Sequence, residues 1–297
     1  MIRKKKSVVV GLGEILWDML PDGRRLGGAP ANFAYHCHAL GADSFVVSAV
    51  GDDKDGADIF NSLTELGIET AYLEKVRGYP TGTVSVELDP NGHADYTIHS
   101  PVAWDTIQWS ESLALLAEKC DAVCFGSLAQ RNPVSRETIQ QFLKSTGGRC
   151  LRVFDINIRQ DYATEETVLM SLEHADILKL NDEELPVVAS MLGIGETDES
   201  KTITQLLSKY DLNCVMLTKG PAGSTLYTQD EVSFCESRDV SVIDTVGAGD
   251  SFTAAAVMGF LAGKALKELH QRASRIADFV CTRSGATPVL SADLINC

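Results

Sequence analysis

Basic residues are scarce in this chain of 297 residues. It carries 26 Lys and Arg against 41 Asp and Glu, which gives a formal net charge of −15 at pH 7. Nucleic acids and anionic membranes are bound through clustered positive charge. The composition therefore predicts neither a nucleic-acid nor a membrane partner, although a local anion-binding site can exist at any net charge.

Long hydrophobic runs and paired cysteines are also missing. No apolar stretch approaches the ~20 residues that span a bilayer. The eight cysteines include no Cys-x-x-Cys pair, and most of them lie in apolar runs. Such cysteines are typical of buried thiols rather than of disulfides or zinc ligands. The sequence therefore predicts a cytoplasmic protein.

Two nucleotide-binding signatures are incomplete. Gly11-x-Gly13 follows a β-branched run, but no third glycine completes a dinucleotide fingerprint. An NAD-dependent oxidoreductase stays open as an alternative on that fragment alone. The glycine-rich stretch from Thr218 through Gly220 to Gly223 follows another apolar run, yet it lacks the Gly-Lys-Ser/Thr ending of a Walker A loop.

One stretch that is present points to chemistry. The residues 239–246 predict a strand, Gly247-Ala248-Gly249 a turn, and the small and apolar residues 251–261 a buried helix. Glycines without a Cβ let backbone N–H groups close around an anion at a helix N-terminus. Asp250 then lies in the first helical turn, beside that anion hole. Amides that hold a developing charge and a carboxylate that takes a proton suit phosphoryl transfer, although a strand-to-helix turn with a capping Asp is the structural alternative.

A second glycine-rich stretch lies far upstream, in Gly27-Gly28-Ala-Pro-Ala-Asn32. Together the two stretches resemble the signatures of the PfkB, or ribokinase-like, family of sugar kinases, and the resemblance runs through most of the chain. It implies that Asp250 is the catalytic base and that the amides of residues 247–250 form the anion hole. It also implies that Asp18, the two glycines and Asn32 hold the sugar, for which a turn with a capping Asn is the structural alternative.

Further motifs follow predicted strands and match the same family. Arg159 ends Asp155-Ile-Asn-Ile-Arg, where a guanidinium can clamp phosphate or sugar oxygens. His99 ends a predicted hairpin and could reach a sugar hydroxyl. The resemblance implies a nucleotide site and a monovalent-cation site. The nucleotide site would contain Asn181, Glu184, Thr218, Gly220, Gly223 and Gly285, and the cation site Asp244 with the carbonyl of Val246.

The order of the predicted elements indicates the fold. Helix and strand patterns alternate from residue 110 onward, which predicts a mostly parallel sheet covered by helices on both faces. The first strand, residues 7–13, is expected to continue to Asp18. Between 81 and 98 the residues alternate between apolar and polar, which predicts a β-hairpin. We interpret this hairpin as a flap beside the main sheet. We therefore expect one α/β ribokinase-like domain over 1–297, with a small β lid built from about 14–26 and 80–100.

The resemblance makes the chain an ATP-dependent sugar kinase that uses Mg²⁺, with K⁺ as a hypothesis. Gly-Glu-Ile-Leu-Trp-Asp18 and Gly27-Gly-Ala-Pro-Ala-Asn-Phe-Ala34 look most like fructokinases. Ribose, 2-keto-3-deoxygluconate and nucleosides stay open as acceptors. The alternative from another class is a sugar- or nucleotide-binding sensor without turnover. An open edge of the lid sheet would suit a homodimer.

Overall fold

The computed structural model describes residues 5–20, 23–88 and 94–295. Most strands are short apolar runs, and β-branched residues such as Val8 to Val10 favour this conformation. The strands are β1 (Val8–Leu12), β2 (Leu16–Leu20), β3 (Gly23–Gly27), β4 (Asp43–Gly51), β5 (Leu73–Val76), β6 (Gly82–Leu88), β7 (Ala94–Ile98), β8 (Ala122–Phe125), β9 (Leu151–Asp155), β10 (Ile177–Asn181), β11 (Cys214–Thr218), β12 (Ser224–Tyr227) and β13 (Val232–Cys235).

Helices connect most of the strands, and many begin at a side-chain cap. Ser110, Asn132 and Asp198 each accept a hydrogen bond from the backbone of the first turn that follows. The helices are α1 (Ala29–Ala39), α2 (Lys54–Glu65), α3 (Glu111–Lys119), α4 (Pro133–Ser145), α5 (Glu165–Leu172), α6 (Glu184–Met191), α7 (Glu199–Lys209), α8 (Ala248–Leu261), α9 (Leu266–Cys281) and α10 (Ala292–Ile295).

Within the described residues, nine strands form one large sheet in the order β13-β12-β11-β10-β9-β8-β1-β4-β5. Its pairs are parallel except for β11–β12 and β12–β13, which confirms the expected fold class. Adjacent residues of one strand pack into different cores, since Val9 faces the cluster under α1, α8 and α9 and Val10 the cluster under α3 to α7. Helices therefore cover both faces.

The second sheet has the order β3-β2-β6-β7. The chain leaves the large sheet after β1 and enters this small sheet at β2, so the single strand expected from residue 7 to Asp18 is in fact two strands in two sheets. Strands β2 and β3 pair so that Asp18 lies opposite Arg25. Strands β6 and β7 form the hairpin expected between 81 and 98, and residues 21–22 and 89–93 lie outside the described residues.

The predicted strand at residues 239–246 is wrong. The segment has no regular secondary structure, and Val242 and Ile243 are 60% and 67% exposed. The amides of Ile243 and Asp244 bond to the Cys281 carbonyl at 2.8 and 3.3 Å. The segment runs past the end of α9 instead of joining a sheet edge. Its apolar residues are therefore exposed and are not paired with another strand.

The described helices include none long and apolar enough to cross a membrane. The seven described cysteines are free thiols, and five of them are buried.

Candidate active site

The turn before α8 is where the sequence predicts an anion hole formed by the amides of residues 247–250. Gly247 caps the helix in the left-handed conformation, with φ 78°, and a Cβ there would lie 2.6 Å from the backbone of Ala286. The amide of Ala248 bonds to the Thr245 carbonyl at 3.2 Å. Within the described residues the amides of Gly249 and Asp250 make no backbone hydrogen bond outside the helix. These two amides are therefore available at the positive end of the helix.

Asp250 lies beside these amides, at the meeting point of both glycine-rich stretches. The side-chain amide of Asn32 in α1 donates to Asp250 Oδ2 at 2.8 Å, across 218 residues of sequence. Burial raises the pKa of Asp250 to about 6, and the charge of Asp155 acts in the same direction, while the bond from Asn32 opposes the rise. A carboxylate with this pKa is ionised at pH 7 and still basic enough to accept a proton.

A buried ion pair lies beneath the turn. Lys179 Nζ in β10 is 3.1 Å from Asp155 Oδ1 at the end of β9, and both side chains are less than 10% exposed. Thr253 joins them to the helix, because its hydroxyl donates to the Gly249 carbonyl at 2.9 Å and lies 3.3 Å from Asp155 Oδ2. Burial opposes the charge on Lys179, but the carboxylates of Asp155, Glu184 and Asp250 outweigh it and raise the lysine pKa.

The ammonium group of Lys179 is therefore a fixed positive charge under the anion hole. A Cβ on Gly249 would lie only 3.1 Å from Lys179 Nζ. Sequence reasoning missed this lysine because Lys179 sits within an apolar strand run. Its position could have been a signal, because a strand that is buried on both faces seldom contains a charged residue unless that residue is paired.

Asp18, Gly27 and Gly28 lie where β2 and β3 meet the start of α1. Asp18 of β2 lies over Gly27, so that a Cβ at Gly27 would overlap its carboxylate, and a Cβ at Gly28 would lie 2.5 Å from the Glu14 carbonyl. Gly28 has φ 111°, a conformation that favours glycine. Burial raises the pKa of Asp18 to about 6, the charge of Arg159 opposes the rise, and Asp244 adds to it.

Glu14 is a second buried carboxyl group that sequence reasoning did not assign. It is 2% exposed, and Oε2 has no hydrogen-bond partner among the described residues. Burial raises its pKa to about 7, backbone N–H groups of Glu14 and Ala29 oppose the rise, and Asp250 adds to it. Glu14 therefore sits under the start of α1, within electrostatic reach of Asp250.

Arg159 is held by a strained loop. The residues Asn157 and Gln160, on either side, have φ values of 43° and 49°, which non-glycine residues seldom adopt outside functional sites. The charge of Arg159 lowers the pKa values of three carboxyl groups, those of Glu14, Asp18 and Asp250. The guanidinium is exposed and donates to the Ile158 carbonyl at 3.0 Å, so its contact with a substrate stays a prediction.

His99 is exposed at the end of β7. Its Nε2 lies 2.8 Å from the Ser85 hydroxyl on β6, and its carbonyl accepts from Arg131 at 2.7 Å. These contacts keep His99 on the small sheet. No described contact joins its ring to Asp18 or Asn32, so its role towards a sugar stays a prediction.

Asn181 and Glu184 form the reciprocal pair expected of a capping box. Asn181 Oδ1 accepts from the Glu184 amide and Glu184 Oε2 accepts from the Asn181 amide, both at 2.8 Å. The other oxygen, Glu184 Oε1, accepts from the Ile158 amide at 2.8 Å. Glu184 therefore ties the loop of Arg159 to the end of β10, and both carboxylate oxygens are already engaged.

A cavity of about 500 Å³ lies between the turn before α8 and the glycine loop at 218–223. This volume is within the range of small-molecule sites. It brings together the predicted nucleotide residues of the glycine loop and the turn before α8, but Asn181, Glu184 and Gly285 do not line it. The lining includes Thr218, Gly220, Gly223, Thr245, Ala248, Gly249, Phe252 and Ala277.

Asp244 is engaged by neighbouring groups. Asp244 Oδ2 accepts from Gly285 N at 2.9 Å and from Arg25 Nη1 at 3.1 Å, and Oδ1 accepts from Val246 N at 3.0 Å. The part of the chain that the structure describes holds no cluster of three or more His, Cys, Asp or Glu residues suited to a metal ion.

Gly11 and Gly13, which suggested a dinucleotide fingerprint, have a packing role. A Cβ at Gly11 would overlap the Pro30 carbonyl, and one at Gly13 would lie 3.0 Å from the Pro30 ring. Both glycines let the start of α1 approach the end of β1. They therefore help to place Asn32.

A basic carboxylate, free helix-terminal amides and a buried ammonium group meet beside a cavity of small-molecule size. These features define the site of a phosphotransferase with an alcohol acceptor. The chain matches the pfkB family of carbohydrate kinases over residues 22–293 and belongs to that family.

Known proteins agree with this assignment. The chain is 30% identical to the fructokinase of Escherichia coli over 290 residues, which are 94% of this chain and 92% of that protein. The structure of the Xylella fastidiosa fructokinase with bound ATP superposes with a TM-score of 0.85 at 21% identity, over 98% and 99% of the two chains. The Vibrio cholerae fructokinase, bound to fructose, ADP and calcium, superposes with a TM-score of 0.81 at 23% identity, over 98% of each chain.

Proposed function

We propose that this protein is a fructokinase that transfers the γ-phosphoryl group of MgATP to a hydroxyl of fructose. The observation that carries the proposal is the Asn32–Asp250 hydrogen bond of 2.8 Å, which joins the two glycine-rich stretches at one base. The identity to a fructokinase supports fructose over ribose, 2-keto-3-deoxygluconate and nucleosides as the acceptor.

In the proposed reaction, Asp18, Asn32 and Arg159 hold the sugar. The Asp250 carboxylate takes the proton of the attacking hydroxyl as that oxygen bonds to the γ-phosphorus, and ADP leaves. The free amides of Gly249 and Asp250 stabilise the charge that develops on the phosphoryl oxygens. The ammonium group of Lys179 adds a positive charge beneath them.

ATP would occupy the cavity beside Thr218 and Gly223. Mg²⁺ enters as part of the MgATP substrate, and because both Glu184 oxygens already accept N–H bonds, the ion would be held by phosphates and water near the Asn181 turn. The assignment of Asn181, Glu184 and Gly285 to the nucleotide site remains part of the proposal. A cytoplasmic location, where ATP is supplied, belongs to it as well.

The small sheet would act as a lid. A sugar kinase must exclude water from the phosphoryl group to avoid hydrolysing ATP. The sheet carries Asp18 and leads into His99, and its open edges also suit the proposed homodimer. The small sheet is therefore the element that we expect to close over the bound sugar.

The test is ADP release in a coupled assay with MgATP and a panel of fructose, ribose, 2-keto-3-deoxygluconate and adenosine. We expect turnover to be fastest on fructose. Faster turnover on another acceptor would move the substrate assignment and keep the mechanism. ATP binding without turnover on any acceptor would contradict the proposal and favour the binding sensor.

A further inference from the structure

One ion pair connects the small sheet to the anion-hole segment. Arg25 of β3 places Nη1 3.1 Å from Asp244 Oδ2, and the Arg25 and Asp244 side chains are 36% and 16% exposed. Arg25 lies directly opposite Asp18 in the β2–β3 pair, so the two side chains share a face of the sheet. A permanent positive charge is thereby held next to the segment that leads into the Gly247 turn.

Asp244 is the residue for which the family resemblance implies a monovalent cation. A carboxylate offers about four lone-pair positions. Three are already used, by Arg25, by Gly285 N–H and by Val246 N–H. A K⁺ ion at Asp244 would also stand close to a guanidinium of the same charge. With about one lone-pair position left and a like charge beside it, the Asp244 carboxylate therefore does not fit K⁺ as a ligand.

The site nevertheless needs a positive charge at this place. Asp244 lies six residues before the base, and its charge raises the pKa of Asp18, which shows that its field reaches the cleft. An uncompensated carboxylate there would oppose the negative charge of the phosphoryl group. Arg25 supplies the compensation that a bound cation would otherwise have to supply.

We propose that Arg25 replaces the monovalent cation at Asp244, so that this kinase works without K⁺. The inference rests on the proposed kinase function. It also gives the small sheet a second role, because β3 carries the charge that compensates Asp244.

The experiment compares the wild type with Arg25→Gln, Arg25→Lys and Arg24→Gln. Arg24 is the matched control, since it lies next to Arg25 on the same strand and pairs with Asp55 and Asp58 instead. Initial rates with MgATP and fructose are measured in tetramethylammonium chloride and in KCl at equal ionic strength. The thermal unfolding midpoint is measured in the same two salts as a readout that needs no turnover.

We expect the wild type and Arg24→Gln to differ by less than about twofold between the salts, with no K⁺-dependent shift of the midpoint. Without K⁺, Arg25→Gln should lose at least about tenfold in kcat/KM, less than the loss of a direct oxyanion-hole donor. Arg25→Lys should keep most of the activity. K⁺ should raise both the rate and the unfolding midpoint of Arg25→Gln.

Strong activation of the wild type by K⁺ would overturn the inference, and so would an Arg25→Gln variant as active as Arg24→Gln in tetramethylammonium. If no acceptor sugar is turned over by the wild type in either salt, the proposed function fails. The unfolding midpoints still test the cation replacement in that case. The two failures can therefore be told apart.

Discussion

The large sheet and the small sheet are stabilised by different interactions. Strands of the large sheet are buried on both faces, as in β10, where Ile177, Leu178 and Leu180 are at most 1% exposed. In the small sheet, β3 begins with two exposed residues, and Arg24 stacks on Trp17 and pairs with Asp55 and Asp58 at the surface. Buried area fixes a geometry strongly, whereas exposed ion pairs contribute ~0–1 kcal/mol each. Buried apolar contacts therefore dominate the central strands of the large sheet, whereas surface ion pairs are prominent at β3, even though Leu16, Val84 and Ile98 join the small sheet to the main core. The large sheet and its helices are called the body below.

Removal of the buried lysine should disturb the body most. Lys179→Met leaves Asp155 as an unpaired buried charge, so the free energy of unfolding should fall by ~3–5 kcal/mol. Urea denaturation measures it. Lys219→Met is the control, because the Lys219–Glu199 pair is more exposed and should cost less than ~1 kcal/mol. Equal losses in the two variants would show that burial does not distinguish these ion pairs.

Glu14→Gln should stabilise the body. Burial raises the pKa of Glu14 in the folded state from its ordinary value of 4.5 to about 7, so the folded state binds the proton more tightly. The free energy of unfolding of the wild type should therefore fall as pH rises from about 4.5 to 7. At pH 8 the variant should be more stable by ~2–3 kcal/mol, and the difference should shrink at pH 5. Denaturant titrations at both pH values measure this, and a variant less stable at pH 8 would contradict the burial argument.

The sequence predicted the body of the fold well and the site only in part. The alternation of helix and strand patterns identified the parallel sheet, since strands buried on both faces give continuous apolar runs such as Cys214–Thr218. The Gly247–Asp250 turn could be placed because its glycines are local requirements of backbone geometry. Asp18 and Asn32 were singled out by the family resemblance, and their roles towards a sugar stay predictions.

Long-range effects could not be read from local pattern. Residues 239–246 alternate like a strand, but the segment pairs with no strand of either sheet, and local pattern alone cannot show that. The roles of Lys179 and Glu14 depend on burial and on partners far away in sequence. The contact of Arg25 with Asp244 spans 219 residues, and no spacing rule indicates it.

The connection between body and small sheet can be strained at Gly28. Gly28→Ala puts a Cβ 2.5 Å from the Glu14 carbonyl at φ 111°, whereas Gly41→Ala, at φ 100°, meets nothing within 4 Å. Both substitutions place an alanine at a positive φ, but only Gly28→Ala also creates a steric overlap. The difference between the two variants therefore measures the overlap. We expect Gly28→Ala to cost ~1–2 kcal/mol more in unfolding free energy and to raise the KM for the sugar. Identical unfolding curves and KM values would show that the close approach has no energetic consequence.

The smallest effect is expected at the surface of the small sheet. Arg24→Gln removes the ion pairs with Asp55 and Asp58 and should lower the free energy of unfolding by less than ~1 kcal/mol. Added salt should lower the free energy of unfolding of the wild type towards that of the variant, because salt screens exposed ion pairs. Thermal unfolding at low and high salt measures this. A loss of several kcal/mol would mean that the small sheet is as firmly fixed as the body.

The central claim is that Asp250 is the general base of a sugar kinase and that the fold holds the surrounding groups in place without it. The decisive measurement is kcat of Asp250→Asn with MgATP and fructose, together with the ATP dissociation constant and the unfolding midpoint. We predict a loss of at least about 10²-fold in kcat, with ATP binding and the fold retained. A kcat within a few fold of the wild type would contradict the assigned mechanism.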